Sequence, residues 1–147
     1  MYLKLYICSM DLIYTLEQTD YIAAQLVKQY ASKSVWVFQA PMGAGKTTLI
    51  AAIGKALGIP QAMSSPTFSI MNEYEVQGKL IYHMDWYRLE SEAEARQAGV
   101  EAAMEEADLS LVEWPEKAPN LVPEEALVLN IEILDPNHRR IFVSSLK

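Results

Sequence analysis

The fold class follows from residues 35–48, which read Val35-Trp36-Val37-Phe38-Gln39-Ala40-Pro41-Met42-Gly43-Ala44-Gly45-Lys46-Thr47-Thr48. The four β-forming apolar residues at the start predict a strand that is buried on both faces, as in a parallel sheet. The loop that follows matches the phosphate-loop pattern G-x-x-x-x-G-K-[ST] at every position but the first, which is Ala40. Because a strand precedes this loop and a predicted helix follows it, the match indicates a site for nucleotide phosphates.

Each part of the loop has a separate role in that site. Gly43 and Gly45 allow the backbone N–H groups to point inward as an anion nest. Lys46 places an ammonium on the β- and γ-phosphates, and Thr47 offers a hydroxyl to Mg²⁺. We expect Ala40 to keep a negative φ and phosphate binding to survive its presence, because the first glycine of the pattern serves the turn out of the strand. The predicted phosphate-binding residues are Met42, Gly43, Ala44, Gly45, Lys46, Thr47 and Thr48.

The rest of the chain alternates predicted helices and strands. We predict an α/β fold, a small P-loop NTPase with a mixed, largely parallel central sheet and attached antiparallel hairpins. We expect residues 10–147 to form a single domain and residues 1–9 to be an N-terminal extension, either an extra strand or an appendage. The predicted elements are a strand over 12–16, helices over 19–30 and 46–57, a strand from Phe68 with Ile70, Tyr74 and Val76 on one face, a Gln77-Gly78 turn, a strand over 79–85, a helical region over 91–106 interrupted near Gly99, a buried strand over 109–113 and a hairpin over 127–143.

Two acidic residues close predicted strands, where open α/β sheets bind their ligands. Asp85 ends the strand that begins near Lys79, and Glu113 ends the strand that begins at Leu109. A P-loop enzyme needs an acid there for Mg²⁺, and we prefer Asp85 for that role over a helix-cap or turn aspartate. Glu113 either orients the attacking water, supports the metal, or is a rim carboxylate. The predicted metal ligands are therefore Thr47, Asp85 and Glu113.

Several further residues have both a functional and a structural interpretation. Thr67 follows the P-loop helix, where nucleotide switches carry a threonine that contacts the γ-phosphate and Mg²⁺, but an ordinary turn also explains it. His83 shares a strand face with Asp85, and a structural role is favoured over metal binding. Trp114 follows Glu113 and either shields the site, stacks on a base or packs in the core. The position of Arg88 allows three interpretations, in which it contacts the nucleotide, an acidic neighbour or a partner protein.

The net charge argues against one class of function. The 147 residues hold nineteen acidic and twelve basic residues, for a net charge of −7. Residues 90–117 alone carry nine acids against Arg96 and Lys117, so that stretch accounts for the whole excess. This net charge argues against free-standing nucleic-acid binding, because phosphate backbones demand a basic surface. The acidic stretch is either a solvated helix face or a docking face for a basic partner.

Cysteine content and hydropathy bound the setting of the protein. The one cysteine, Cys8, excludes an internal disulfide framework and a multi-cysteine zinc site. No apolar run is long enough to span a bilayer, and no signal peptide is recognisable, so we expect a cytoplasmic protein with no membrane partner.

The small number of arginines limits the expected rate of hydrolysis. The chain holds Arg88, Arg96, Arg139 and Arg140, and none lies in a lid or in an evident arginine-finger position. We therefore expect a Mg²⁺-dependent ATPase that is slow alone and depends on a partner. The alternatives are a small-molecule phosphotransferase that uses the same P-loop, and a nucleotide-dependent interaction subunit that does not hydrolyse ATP.

Four motifs together resemble those of the TsaE (YjeE) family, the bacterial ATPases needed to make threonylcarbamoyladenosine on tRNA. The resemblance covers most of the chain from about Met10, and it departs from the family's pattern at Ala40. The P-loop is generic to NTPases, whereas its combination with the other three motifs in this order is specific. The motifs are Gly43-Ala44-Gly45-Lys46-Thr47-Thr48, Ser65-Pro66-Thr67-Phe68, His83-Met84-Asp85-Trp86-Tyr87-Arg88 and Glu113-Trp114-Pro115-Glu116.

The resemblance implies a specific role. Members of the family bind ATP or ADP with Mg²⁺, hydrolyse ATP weakly alone, and act with TsaD and TsaB, the pair that transfers the threonylcarbamoyl group to adenosine 37 of certain tRNAs. The family's ATP cycle acts on that pair, and tRNA is reached only through it. By the same resemblance, Lys46 and Thr47 are the phosphate and Mg²⁺ groups, Thr67 the switch-like threonine, Asp85 the metal acid and Glu113 the glutamate needed for hydrolysis. Trp114 lies beside the nucleotide.

Overall fold

The computed structural model describes residues 9–67 and 69–144. The predicted N-terminal extension at residues 1–9 lies outside the described residues except for Ser9. Phe68, which begins one predicted strand and ends the motif Ser65-Pro66-Thr67-Phe68, also lies outside the described residues.

The described chain contains seven strands and four α-helices. None of these helices is long and apolar enough to cross a bilayer. Three short 3-10 helices lie at Leu16–Gln18, Pro115–Lys117 and Pro119–Leu121. In chain order the larger elements are β1 (Asp11–Thr15), α1 (Thr19–Gln29), β2 (Val35–Gln39), α2 (Lys46–Leu57), β3 (Met71–Val76), β4 (Lys79–Asp85), α3 (Glu92–Gln97), α4 (Val100–Glu106), β5 (Leu109–Glu113), β6 (Leu127–Asp135) and β7 (His138–Ser144).

The strands form one sheet in the order β1-β7-β6-β2-β5-β4-β3. The four central strands, β6, β2, β5 and β4, are parallel to one another, and the outer pairs β1–β7, β6–β7 and β3–β4 are antiparallel. This is the predicted mixed sheet with a parallel centre and antiparallel hairpins, so the predicted fold class is confirmed. Phe38 and Asp85 both pair with Glu113, which places the carboxyl ends of β2, β4 and β5 at one edge.

Helices cover both faces of the parallel centre. One core cluster packs α1 and α2 against Trp36 and Phe38, and the other packs α3 and α4 against Val35 and Val37. The first four of the five β2 side chains, Val35 to Phe38, are at least 95% buried, which explains why this part of the strand is an unbroken apolar run. Each fully buried side chain of this size contributes roughly 1.5–3 kcal/mol relative to exposure, so β2 anchors the P-loop firmly.

Positive backbone φ angles occur at two predicted breaks. Gln77 (φ 52°) and Gly78 (φ 76°) form the two-residue turn between β3 and β4. Gly99 (φ 84°) separates α3 from α4 within the predicted helical region. Both the turn and the interruption are confirmed.

The predicted alternation before β3 is wrong at Ile70. Tyr74 and Val76 pack against the α1–α2 cluster, whereas Ile70 packs against the α3–α4 cluster. The chain bends at Ile70, whose carbonyl accepts a hydrogen bond from the Asp85 N–H at 2.9 Å, and β3 begins only at Met71. The bend changes the face that the side chain meets, which a period of two cannot reveal.

Candidate functional site: a phosphate loop facing two acidic strand ends

The P-loop connects β2 to α2 through two glycines in the left-handed backbone conformation. Gly43 (φ 80°) and Gly45 (φ 93°) lie in the left-handed region, and a Cβ at either position would meet no atom within 4 Å. Backbone conformation, and not lack of space, therefore calls for glycine there. Ala40 keeps a negative φ as predicted, because the described non-glycine residues with positive φ are Gln77 and Trp114.

A buried arginine supports the loop from β7. Arg139 is 6% exposed, and its Nε donates to the Ala44 carbonyl at 3.0 Å. This contact spans 95 residues of sequence, and no local pattern predicts it. Arg139 therefore fixes the backbone of the loop without being one of the predicted site residues.

Lys46 begins α2 and is almost buried, with 6% of its surface exposed. Its Nζ donates to the Ala40 carbonyl at 3.1 Å and lies 3.5 Å from the centre of the Trp114 ring. Burial lowers the pKa of Lys46, and the negative charges of Glu113, Glu116 and Asp85 act in the opposite direction. The ammonium is thus held in a partly desolvated place, where an added anion interacts with it strongly.

A cleft of about 450 Å³ opens above the P-loop. It brings together the whole predicted phosphate-binding set, both predicted metal acids and Trp114. Thr67 and Arg88 do not line it. The lining residues are Met42, Gly43, Ala44, Gly45, Lys46, Thr47, Thr48, Ser65, Asp85, Tyr87, Glu113 and Trp114.

A hydrogen-bonded chain joins the P-loop to the end of β5. Thr47 Oγ1 lies 3.2 Å from Ser65 Oγ, and Ser65 Oγ donates to Glu113 Oε2 at 3.4 Å. Behind them, His83 Nε2 lies 2.7 Å from the same Glu113 oxygen. The sequence favours Thr67 as the hydroxyl residue of this loop, whereas in the structure Ser65 faces Thr47.

Thr67 and Arg88 contact each other outside the cleft. One guanidinium nitrogen of Arg88 donates to the Thr67 carbonyl at 3.0 Å, and another donates to the Ser69 carbonyl at 3.4 Å. Arg88 therefore holds the loop that follows α2, and its predicted contact with a nucleotide, an acidic neighbour or a partner stays a prediction. The switch-like role of Thr67 stays a prediction.

The acidic strand ends offer oxygen ligands beside the Thr47 hydroxyl. Asp85 Oδ1 accepts the Tyr87 N–H at 3.0 Å, while Asp85 and Glu113 are register partners on neighbouring strands. Mg²⁺ prefers oxygen ligands in near-octahedral geometry and keeps several waters, so one or two carboxylates with a hydroxyl and nucleotide phosphates fit it. The donor set is chemically suited to magnesium with a bound nucleotide.

Two aromatic residues line the cleft, and a further acid outside it interacts with Lys46. The Tyr87 ring lies 5.0 Å from the Trp114 ring at an angle of 51°. Glu116 has a pKa raised by burial, with Lys46 drawing it in the opposite direction. Trp86, by contrast, is fully buried in the α3–α4 core and does not line the cleft. The sequence signal for Glu116 and Tyr87 was their place in the motifs that carry Glu113 and Asp85.

A family model covers most of the chain. The model described as "Threonylcarbamoyl adenosine biosynthesis protein TsaE" matches residues 13–141. This interval contains every residue that lines the cleft.

Individual relatives give the same result. The tRNA threonylcarbamoyladenosine biosynthesis protein TsaE of Haemophilus influenzae is 34% identical over 111 residues, which span 75% of this chain and 70% of the relative. The protein of the same name from Aquifex aeolicus is 35% identical over 85% of this chain and 87% of the relative. Among solved structures, the crystal structure of Bacillus subtilis YdiB superimposes with a TM-score of 0.71 at 26% identity, covering 95% of this chain and 88% of that chain.

Proposed function

The chain belongs to the TsaE family, and from that premise we propose that it binds and slowly hydrolyses ATP as a subunit required for threonylcarbamoylation of adenosine 37 of tRNA. The observation that carries the proposal is the convergence on one cleft of the P-loop amides, the Lys46 ammonium and the oxygens of Thr47, Asp85 and Glu113. Anion donors and oxygen ligands for a divalent cation are the two features that a nucleotide triphosphate site requires.

Each group has a role in phosphate binding. The P-loop amides and the first turn of α2 face the β-phosphate, and Lys46 neutralises the β- and γ-oxygens. Thr47 and Asp85 hold Mg²⁺, which when bound offsets the charge that develops on the phosphate oxygens. Phosphate oxygens compete with the Trp114 ring for the Lys46 ammonium, so we expect nucleotide binding to change that contact.

Hydrolysis requires a water in line with the γ-phosphorus. Glu113 orients this water and accepts its proton as the water oxygen bonds to phosphorus and the bond to the ADP oxygen breaks. Among the described residues that line the cleft, Lys46 is the one with a cationic side chain. An arginine finger raises such rates by about 10³–10⁵, so turnover by a chain without one is slow and a partner controls it.

The partners follow from the family and from charge. TsaD and TsaB homologues are the proposed partners, and tRNA is reached through them because the chain carries a net charge of −7. Glu101, Glu105 and Glu106 lie exposed on α4, and Glu101 pairs with Arg96 at 3.2 Å. We assign this acidic surface to docking on a basic partner. Charge reversal at all three residues that left association unchanged would remove the assignment.

Single-turnover hydrolysis and a reconstituted reaction test the proposal together. Radiolabelled ATP is mixed with the wild type or with Lys46→Ala. Each protein is tested alone and together with TsaD and TsaB homologues and tRNA. We expect free phosphate, slow release by the chain alone, faster release with partners, and loss of ATP binding in Lys46→Ala. Label found on an acceptor hydroxyl indicates a phosphotransferase instead. Modified tRNA formed with Glu113→Ala that still binds ATP indicates an interaction subunit that needs no hydrolysis.

A further inference from the structure

A histidine lies behind the cleft with both ring nitrogens in contact. His83 is on β4, fully buried, and does not line the cleft itself. Its Nε2 lies 2.7 Å from Glu113 Oε2, and its Nδ1 lies 3.1 Å from the Ser64 carbonyl oxygen. The ring therefore connects the carboxylate at the end of β5 to the loop that follows α2.

The direction of these two contacts follows from the chemistry of the partners. A carbonyl oxygen only accepts, so His83 Nδ1 carries a hydrogen and donates it to Ser64. On the other side of the ring, Nε2 lies within hydrogen-bond distance of Glu113 Oε2, so both nitrogens have a partner and the ring is fixed in one orientation.

The two oxygens of Glu113 have different surroundings. Both His83 and Ser65 contact Oε2. Within the described residues, Oε1 accepts no protein hydrogen bond, and it is not among the enclosed atoms that lack a partner. Because Glu113 lines the cleft, Oε1 is the oxygen left open to it.

We propose that His83 is a positioning residue for ATP hydrolysis. By holding Glu113 Oε2, it fixes the carboxylate so that Oε1 faces the attacking water. By holding the Ser64 carbonyl, it keeps Ser65 against Thr47. The proposal rests on the proposed function, since the role of Glu113 toward water belongs to it. A core histidine that serves packing alone would support the fold without changing turnover.

Two amide substitutions separate the two contacts. His83→Asn places an amide near the position of Nδ1, which keeps the bond to Ser64 and loses the bond to Glu113. His83→Gln places its amide near the position of Nε2 and keeps the bond to Glu113. Met84→Leu is the matched control, because Met84 is the next residue of β4, is equally buried, and makes no cleft contact.

The expected result is a split between turnover and binding. In His83→Asn the single-turnover rate should fall by about 10²-fold, the loss typical of a misplaced catalytic group, while ATP affinity stays within about threefold. The single-turnover rate of His83→Gln should be at least about tenfold higher than that of His83→Asn. Added imidazole should partly restore the rate of His83→Ala. Met84→Leu should keep the wild-type rate.

The outcomes distinguish this inference from the proposed function. Wild-type rates in every His83 variant that remains folded by circular dichroism, with only a lowered Tm, would overturn the positioning role and leave the ATPase proposal intact. A rate loss in His83→Gln as large as that in His83→Asn would overturn the role assigned to the contact with Glu113. Failure of the proposed function shows separately, as absence of phosphate release by the wild type or retention of ATP binding in Lys46→Ala.

Discussion

The Lys46 ammonium lies 3.5 Å from the centre of the Trp114 ring, so the P-loop lysine meets an aromatic face at the place where phosphates are expected. Such a contact contributes about 0.5–2 kcal/mol. Trp114 itself has a φ of 58°, a conformation that costs of order 1–3 kcal/mol for a bulky residue. An anion in the cleft competes with the ring for the Lys46 ammonium, so its binding should change this contact.

Trp114 fluorescence should therefore report nucleotide binding. ADP with Mg²⁺ draws Lys46 toward the phosphates and changes the surroundings of the ring. Trp36 and Trp86 are at least 98% buried in the two cores and provide a constant background. We expect a saturable change in emission for the wild type and none for Trp114→Phe, measured at matched occupancy by calorimetry. An equal change in Trp114→Phe would contradict this.

Glu113→Gln should separate ATP binding from hydrolysis. A glutamine amide can donate to His83 Nε2, so the buried contact survives. The oxygen that faces the cleft becomes an amide oxygen, which is too weak a base to take the water's proton. We expect the single-turnover rate to fall by about 10²–10⁴-fold, the usual worth of general-base catalysis. The ATP dissociation constant should stay within a few fold by calorimetry. Glu116→Gln, which does not line the cleft, is the control and should lose much less rate.

Ser65→Ala and Thr67→Ala should differ in effect. Ser65 bridges Thr47 and Glu113, so its loss removes both hydrogen bonds of the chain that spans the cleft. Thr67 makes its contact to Arg88 through its carbonyl, which alanine retains. From the structure we expect the larger loss of Mg²⁺-dependent hydrolysis in Ser65→Ala. A larger loss in Thr67→Ala, with the Mg²⁺ requirement altered, would instead support the switch-like role that the motif suggests.

The features that the sequence predicts are those set by neighbouring residues or by the ends of strands. The run Val35–Phe38 and the loop after it are local signals, and Asp85 and Glu113 are predictable because parallel strands end at one edge. The unpredictable contacts depend on long-range packing. Arg139 reaches Ala44 across 95 residues, and His83 reaches Glu113 across 30. No sequence period carries such information.

The choice between Ser65 and Thr67 shows the same limit. Both are hydroxyl residues in one loop, two positions apart, and the motif alone favours the threonine. The loop enters the cleft at Ser65 because Ser64 is held by His83 and by Asn72, whose Nδ2 donates to the Ser64 carbonyl at 3.1 Å. Those anchors lie on β3 and β4, so only the folded sheet selects the residue that faces Thr47.

Lys46→Met should abolish ATP binding and raise stability. The folded state lowers the pKa of Lys46 because burial disfavours its charge. This penalty is fully present at pH 7, so we expect the Tm of Lys46→Met to exceed that of the wild type by a few degrees. Between the lowered pKa and 10.5 the unfolded chain binds more protons, so wild-type stability rises there and the difference should narrow. A lower Tm for Lys46→Met at pH 7 would contradict the assignment.

Asp11→Asn should weaken the outer sheet in a way that depends on pH. Arg140 donates to both oxygens of Asp11 at 2.9 Å and to Glu132, which ties β1 and β6 to β7. The Arg140 guanidinium lowers the pKa of Asp11 below its usual 3.8, chiefly through these hydrogen bonds. The stabilisation is therefore fully present above about pH 3.8 and disappears as the pH falls through the lowered pKa. Urea unfolding at pH 7 should show a reduced midpoint for Asp11→Asn that converges with the wild type at low pH.

The control for this prediction is Asp20→Asn, which removes an exposed 3.4 Å pair with Lys55 and should change the urea midpoint little. A deficit in Asp11→Asn that persisted unchanged at low pH would show that the carboxylate charge is not its cause.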